Sequence, residues 1–211
     1  GVMNVINLAH GPIIALGMFG IYLLFTGAGI NPLLGLLIVA PAALLFGIVV
    51  YLVAVHRVIT APHLSSLLST YAVNMIIIGI GTVVFSTSFR NVDYSLGAFS
   101  LGPINVTGNR VAAALIALLV TALLYGFLYR TRQGKSIRAV ANNRAAAELM
   151  GIAATRVLAL AFGIGTMLAA VSGALIAMSL PFTILSGGVY ELKSFVIVVL
   201  GGLGNPLGAL L

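Results

Sequence analysis

The segment RTRQGKSIRAVANNRAAAELMGIAATR, residues 130–156, separates two long apolar stretches and decides how the chain is arranged. This segment, called the basic loop below, carries six of the ten basic residues and one of the three acidic residues. Each Arg or Lys at a bilayer centre costs roughly 2.5–3.5 kcal/mol, so burying six would cost on the order of 15 kcal/mol. We therefore expect the basic loop to lie in water and, by the positive-inside rule, in the cytoplasm.

The composition is that of a polytopic membrane protein. Of the 211 residues, 61% are hydrophobic and 6% are charged, which is far outside the range of soluble domains. The formal net charge of +7 does not indicate a nucleic-acid binder, because most cations lie in the basic loop and form no stripe that could follow a line of phosphates. The chain contains no cysteine, which excludes a disulfide framework and a thiolate metal site.

Uncharged stretches of sufficient length predict six membrane segments, since about 20 apolar residues cross the hydrocarbon core. We expect an all-α, polytopic transmembrane helical bundle that forms one domain over residues 1–211. Polar, Gly and Pro residues interrupt the first and last segments, which are therefore predicted to be discontinuous. The chain begins without Met and ends in an apolar run, so we expect further helices on each side. The predicted segments are residues 11–26, 33–55, 64–88, 111–129, 157–180 and 194–211.

The positions of the cations predict the orientation of the bundle. With the basic loop inside and the six segments alternating, Arg57 also lies inside, whereas Arg90, Arg110 and Lys193 lie outside. Seven cations then face the cytoplasm and three face the exterior, as the positive-inside rule requires. Residues 89–110, which are polar and rich in Gly and Pro, are predicted to form an external loop or a re-entrant piece.

The fifth predicted segment carries small residues at four-residue intervals. Such a stripe lets the backbone of a neighbouring helix approach closely. We interpret it as a helix-packing surface rather than as part of a transport path. The stripe consists of Gly165, Ala169, Gly173 and Ala177.

The basic loop itself is predicted to contain a short helix. Asn142 or Asn143 can cap its beginning, and the run AAAELM that follows Arg144 is rich in helix formers. Gly151 suits the left-handed position just past the end, with Ile152 placed to fold back onto the last turn. Arg144 and Glu148 are spaced to pair on the surface.

This helix has two interpretations. Leu149, Met150 and Ile152 are predicted to be exposed, and together with the small alanines they would suit a groove on a partner protein. The alternative is an ordinary solvated loop helix whose charges serve only the topology.

Three motifs in the same order resemble one protein family and together cover essentially the whole chain. The basic loop is similar to the cytoplasmic EAA-like loop of permease subunits of bacterial ABC importers, and more closely to that of the branched-chain amino-acid permeases. The beginning, MNVINLAHG, resembles the N-F/L-A-H-G motif of that family, and ELKSFVIVVLGGLGNPLGALL resembles its ending. NLAHG together with LKSF favours the H-type subunit. The chain departs from the family pattern at Asn205, where Ser is common, and at Asn143, where an acid is frequent.

The resemblance implies a permease rather than an enzyme, without catalytic residues or a metal. Its partners would be a second permease subunit of the M type, two cytoplasmic ATP-binding subunits and a periplasmic or extracellular substrate-binding protein, all at the bacterial inner membrane. This chain would bind no cofactor, since ATP and Mg belong to the partners, and it has no G-x-x-x-x-G-K-[ST] loop. The residues expected to couple it to the ATPases are Arg138, Asn143, Arg144, Ala146, Glu148, Leu149, Met150, Gly151 and Ile152.

Interrupted segments near both ends of the chain predict the substrate path. Transporters often place their substrates at discontinuous helices, where free amides and carbonyls line a cavity. The alternative for each residue is structural: a hydrogen bond between helices, or close packing. The residues expected along the path are Asn4, Asn7, His10, Gly11, Asn74, Lys193, Gly202, Gly204 and Asn205.

Two other kinds of function remain open from the residues alone. An ion-coupled transporter would need an acid deep in a segment, whereas Asp93, Glu148 and Glu191 are predicted in loops or at segment ends. A passive channel could be lined by similar glycines and amides. Dependence of uptake on ATP separates both from an ABC importer. The sequence does not choose between branched-chain amino acids and other small solutes such as amides or urea.

Overall fold

A computed structural model of the chain describes residues 7–58, 63–101 and 104–201. Within these ranges the chain is a bundle of helices with one small hairpin, so the prediction of an all-α membrane bundle is confirmed. The helices are α1 (His10–Ala28), α2 (Pro32–Val50), α3 (His63–Phe85), α4 (Gly108–Arg130), α5 (Arg132–Asn142), α6 (Arg144–Leu149), α7 (Ala154–Ala177) and α8 (Ser186–Gly201).

Five of the described helices are long and apolar enough to cross a membrane: α1, α2 with its continuation to Val55, α3, α4 and α7. They correspond to the first five predicted segments. The sixth prediction needs a correction, because α8 begins at Ser186 rather than at Ser194 and its described part ends at Gly201. The remainder of that predicted segment, residues 202–211, lies outside the described residues.

The segment predicted as a loop, residues 89–110, forms an extended stretch and a hairpin up to Thr107, and its last three residues begin α4. Strand β1 (Ala98–Leu101) pairs antiparallel with β2 (Ile104–Thr107), in the register Ala98 opposite Thr107. Before the hairpin, Arg90 makes an isolated backbone bridge with Phe182, which ties this loop to the chain between α7 and α8. Of the two predicted forms, an external loop or a re-entrant piece, the structure is that of a loop.

The second span is regular at its start and irregular at its end. The Asn31 side chain accepts a hydrogen bond from the Leu33 amide at 3.0 Å, and Pro32 occupies the first turn, where its missing N–H costs nothing. Pro41 lies inside α2 without ending it. Residues Tyr51–Val55 then form a π-helical turn, in which the amide of His56 donates to the carbonyl of Tyr51 at 2.7 Å.

Helix α7 lies at the centre of the bundle and is packed by α1 and α2 through glycines. A Cβ atom on Gly173 would overlap the backbone of Ile14, and one on Gly17 would overlap the backbone of Ala170. Gly47 of α2 lies in the same way against Thr166. The predicted stripe is thus confirmed as a packing surface for Gly173, Ala169 and Ala177, which are buried, but Gly165 faces open space.

The two ends of the bundle are distinct. A second apolar cluster, called the loop-end cluster, joins the end of the second span and the start of α7 to the basic loop; it consists of Tyr51, Val55, Val140, Ala147, Ala154, Leu158, Ala159 and Phe162. At the opposite end, the Arg90 guanidinium lies over the Tyr22 ring, and Phe182 packs edge-on against Phe19. The basic loop and the hairpin therefore lie at opposite ends, as the alternating topology predicts.

Candidate functional site

The basic loop folds into two helices rather than the single one predicted. The first, α5, begins where the Thr131 hydroxyl accepts a hydrogen bond from the Gly134 amide at 3.0 Å. Its Ile137 and Val140 side chains are buried together with Gly134, whereas its cations face outward. The three buried residues are spaced by three, which is an amphipathic pattern. This pattern is present in the sequence, but the prediction of a single helix did not use it.

The second helix, α6, has the ends that the sequence predicts. The Asn143 side chain accepts a hydrogen bond from the Ala146 amide at 3.0 Å, which satisfies one of the free amides of the first turn. Gly151 has a φ of 80°, and the Ile152 amide donates to the Ala147 carbonyl at 3.0 Å. This closure is a Schellman motif, and it fixes both the length and the direction of the helix.

One side of α6 is anchored and the other is free. Ala147 is buried in the loop-end cluster, and Ile152 is partly buried against it. The predicted fold-back of Ile152 onto the last turn is confirmed, whereas its predicted exposure is wrong, because the fold-back packs it against the loop-end cluster. Leu149 and Met150 remain 89% and 82% exposed, so they form a free apolar pair at the tip of the loop.

The other predicted loop residues lie around this tip. The Arg144 Nε donates to the Glu148 Oε1 at 3.0 Å, with both side chains partly in solvent, where such a pair contributes about 0–1 kcal/mol. Ala146 is exposed on α6. Arg138 belongs to α5, where its guanidinium stacks over the Tyr129 ring at 4.3 Å. The structure thus brings the predicted coupling residues to one end of the bundle.

A second set of predicted residues meets inside the bundle. Asn74 lies at the centre of α3, and its amide Nδ2 donates to the Leu8 carbonyl at 2.5 Å. The Leu8 amide in turn donates to the Thr70 hydroxyl at 3.3 Å. These bonds hold the chain just before α1 against the middle of α3. Helix α1 therefore begins about half-way through the thickness of the bundle, as a discontinuous membrane helix does.

Asn7 and His10 face each other at this point. The Asn7 Nδ2 and the His10 Nδ1 are hydrogen-bonded at 2.8 Å, and the Asn7 Oδ1 accepts from the Ala9 amide at 3.0 Å. Of the predicted path residues, Asn7, His10, Gly11 and Asn74 are thus brought together around the start of α1.

Glu191 joins this group, which sequence reasoning did not anticipate. The backbones of Gly187 and Gly11 touch, so α8 crosses α1 closely at this point. Glu191 lies one turn further along α8, and its carboxylate lies against Gly11. The prediction that Glu191 lies at a segment end is wrong, because α8 begins at Ser186. The group formed by Asn7, His10, Gly11, Asn74 and Glu191 is called the mid-bundle cluster below.

The remaining path predictions fall elsewhere. Lys193 is exposed, and its Nζ lies 5.5 Å from the centre of the Tyr190 ring rather than in the mid-bundle cluster. Asn4, Gly202, Gly204 and Asn205 lie outside the described residues. Within the described ranges, no three His, Asp or Glu side chains are grouped so that they could hold a metal ion.

A separate apolar cavity lies beside α1, and none of the mid-bundle cluster residues lines it. It has a volume of about 150 Å³ and lies between α1, α7 and α8. Met18, on its α1 wall, is two turns along the helix from Gly11, or about 10 Å at 1.5 Å per residue. The walls are formed by Met18, Ile176, Pro181, Phe182, Ser186, Val189 and Tyr190.

Five long apolar helices, a helix that begins at half depth and a group of polar side chains at that depth define a polytopic membrane protein of the transporter type. The model of one family, described as the permease component of branched-chain amino acid transport systems, matches residues 1–211. The chain belongs to this family of transport permeases, whose members are not enzymes.

Individual relatives agree with the family. The permease protein BraD of a high-affinity branched-chain amino acid transport system from Pseudomonas aeruginosa is 27% identical, over 100% of this chain and 74% of that protein. The corresponding permease LivH of Salmonella typhimurium is 26% identical, over 100% of this chain and 73% of LivH. The permease LsrC of an autoinducer 2 import system from Klebsiella pneumoniae is 36% identical over 48% of this chain and 32% of LsrC. No solved structure matches significantly.

Proposed function

We propose that the chain is the H-type permease subunit of an ATP-binding-cassette importer and that it carries branched-chain amino acids across a bacterial inner membrane. The substrate class is supported by BraD and LivH, which match the whole chain and are named as branched-chain amino acid permeases. LsrC, which covers less than half of the chain, is named for a different solute. The fold is therefore compatible with more than one substrate.

The single observation that carries the coupling part of the proposal is the construction of α6. Its buried side is fixed to the ends of the second span and α7 through Ala147 and the loop-end cluster, whereas Leu149 and Met150 are free. A force applied to the free side is transmitted to two membrane helices rather than absorbed by a flexible loop. In the proposal, two cytoplasmic ATP-binding subunits seat this tip in a groove.

The remaining partners follow from the same assembly. A second permease subunit of the M type completes the membrane path within the lipid bilayer, and a periplasmic or extracellular binding protein delivers the substrate. ATP and Mg bind to the ATP-binding subunits, and this chain binds no cofactor. Closure of those subunits on ATP pushes α6, and the bundle alternates between outward- and inward-facing states around the mid-bundle cluster.

The experiment that tests the proposal is uptake into proteoliposomes that contain the complete complex, with the loaded binding protein on one side and ATP on the other. Leucine uptake is expected only with ATP and is expected to stop when the partner ATPases carry an inactivating substitution. Uptake that continues without ATP, or that follows an imposed proton gradient instead, would refute the importer assignment. The measurement with a proton gradient is needed because the sequence argued against ion coupling on the ground that Glu191 lies at a segment end. In the structure Glu191 lies within α8.

A further inference from the structure

We propose that the Glu191 carboxylate binds the ammonium group of the transported solute, and that the apolar cavity between α1, α7 and α8 takes its aliphatic side chain. This inference rests on the proposed function and names the side chain that would select amino acids over urea, amides or other neutral solutes. It depends on a side chain for which the sequence analysis and the family comparison assign no role.

The Glu191 carboxylate lies in the middle of the bundle. Glu191 is partly buried on the face of α8 that crosses α1, one turn beyond the contact between Gly187 and Gly11. Gly11 belongs to the first turn of α1, which begins at the level of Asn74 in the middle of α3. The carboxylate therefore lies near half depth, where transporters place their substrate sites.

Among the described residues, the Glu191 carboxylate has no cationic side chain as a partner. In the described part of the chain, no Lys or Arg lies within salt-bridge distance of Glu191, and the one ion pair found there joins Arg144 to Glu148 at the far end of the bundle. Lys193, two residues away, lies over the Tyr190 ring instead. A partly buried carboxylate without a cation is unfavourable.

An ammonium group is the chemical group that would complement the Glu191 carboxylate. An ammonium group supplies both the missing charge and up to three hydrogen-bond donors, and a bond between two ionised groups is shorter and stronger than a neutral one. The side-chain amides of Asn7 and Asn74 are already hydrogen-bonded to His10 and to the Leu8 carbonyl, so the carboxylate is the group of the cluster that lacks a charged partner. Urea and simple amides carry no positive charge and gain nothing from the carboxylate.

The apolar cavity would hold the hydrocarbon part of the solute. The same two helices that hold Glu191 also line the cavity of about 150 Å³, through Met18 on α1 and Val189 on α8. Apart from Ser186, its lining side chains are aliphatic or aromatic. A charged site and an apolar cavity on the same two helices fit a small molecule with an ammonium group at one end and a branched hydrocarbon at the other.

The test is equilibrium binding of radiolabelled leucine to the purified, nucleotide-free complex, with two competitors that each keep half of the molecule. Isopentylamine retains the ammonium group and the hydrocarbon, and 4-methylpentanoate retains the carboxylate and the hydrocarbon. We expect isopentylamine to compete at least tenfold better than 4-methylpentanoate. Equal competition, better competition by the acid, or no leucine binding to the wild-type complex would overturn the proposal.

Substitution of Glu191 provides the second arm. Glu191→Gln is expected to weaken leucine binding about tenfold or more and to abolish the preference for isopentylamine, whereas Glu191→Asp is expected to retain the preference. Asp93→Asn, the same chemical change at an exposed acid in the loop before the hairpin, is the matched control and is expected to bind as the wild type does. Wild-type binding and preference in Glu191→Gln would overturn the proposal. If that variant does not fold, the competition experiment on the wild-type complex still decides.

The experiments distinguish a wrong importer assignment from a wrong role for Glu191. If the wild-type complex shows no ATP-dependent leucine uptake, the proposed function is wrong. If uptake is normal but the competitors do not discriminate, the importer assignment stands and only the role of Glu191 is wrong.

Discussion

The Cα of Gly173 faces the backbone of Ile14 so closely that a Cβ atom at this position would overlap the Ile14 carbonyl oxygen. Helices α7 and α1 are therefore in direct main-chain contact, with no side chain between them at this point. Contacts of this kind depend on small residues, because the association of helices in lipid relies on close packing rather than on exclusion of water.

Gly173→Ala is expected to destabilise the bundle, since overpacking of this kind costs about 1–3 kcal/mol. The measurement is the thermal unfolding temperature of the detergent-solubilised protein. Gly165→Ala on the same helix is the matched control, because a Cβ there meets nothing within 4 Å, and its better helix propensity makes the change neutral or stabilising by up to about 1 kcal/mol. Equal shifts of the unfolding temperature in the two variants would contradict the close contact between α7 and α1 at Gly173.

The ends of α6 yield a second prediction, which concerns local order. Asn143→Ala removes the cap on the Ala146 amide and is expected to cost about 1 kcal/mol, so the amides of residues 144–149 should exchange with deuterium about fivefold faster. Asn143→Asp keeps an acceptor and is expected to exchange slowly. Asn142→Ala, at the exposed neighbouring position, serves as the control. Unchanged exchange in Asn143→Ala would mean that the cap does not stabilise this helix.

Gly151 tests the other end of α6. Gly151→Val is expected to disrupt the Schellman closure, because a β-branched residue is strained at a φ of 80°. Gly151→Asn is expected to be nearly neutral, since asparagine tolerates this conformation. The readout is the ratio of amino acid transported to ATP hydrolysed, which should fall at least fivefold in the valine variant alone. Equal ratios in both variants would show that the orientation of α6 does not affect coupling.

The exposed pair Leu149 and Met150 provides a direct test of docking. Replacing both with Ser is expected to leave the unfolding temperature unchanged, because both side chains are free. Burial of such side chains against a partner contributes about 1.5–3 kcal/mol each, so binding of the ATP-binding subunits should weaken at least tenfold in a pull-down titration. Gln133→Ser, on the exposed side of α5, is the control. Wild-type affinity in the double variant would remove the pair from the interface.

The orientation of the bundle can be tested by cysteine labelling, because the chain contains no native cysteine. Ala146→Cys in α6 is expected to react with an impermeant maleimide only after the cells are permeabilised. Thr87→Cys, exposed at the opposite end beyond α3, is expected to react in intact cells. The reverse pattern would place the basic loop outside and would end the ATP-driven proposal.

The features that were predicted from the sequence are local ones. The cap at Asn143 and the left-handed turn at Gly151 each depend on a few neighbouring residues, and both appear in the structure where expected. The five long spans follow from hydropathy alone. The small-residue stripe was recognised too, but sequence spacing does not reveal which members face a neighbour, and Gly165 does not.

The features that were missed depend on distant parts of the chain. The contact between Glu191 and Gly11 joins residues from opposite ends of the sequence, and no periodicity indicates it. The start of α8 was placed at Ser194 because Glu191 and Lys193 interrupt the apolar run, although helix formation tolerates both residues. The fold-back of Ile152 was predicted, but its burial was not, because the cluster that covers it includes residues from the second span and α7.

The π-helical turn at Tyr51–Val55 has a geometric consequence for the second span. In an α-helix, residues four apart drift about 40° around the axis, because 3.6 residues complete a turn. Gly47, Tyr51 and Val55 all face α7 or the loop-end cluster, although in a regular helix the last would point about 80° away from the first. A turn that holds more residues cancels part of this rotation. The second span thus keeps a straight contact line along α7 without coiling around it.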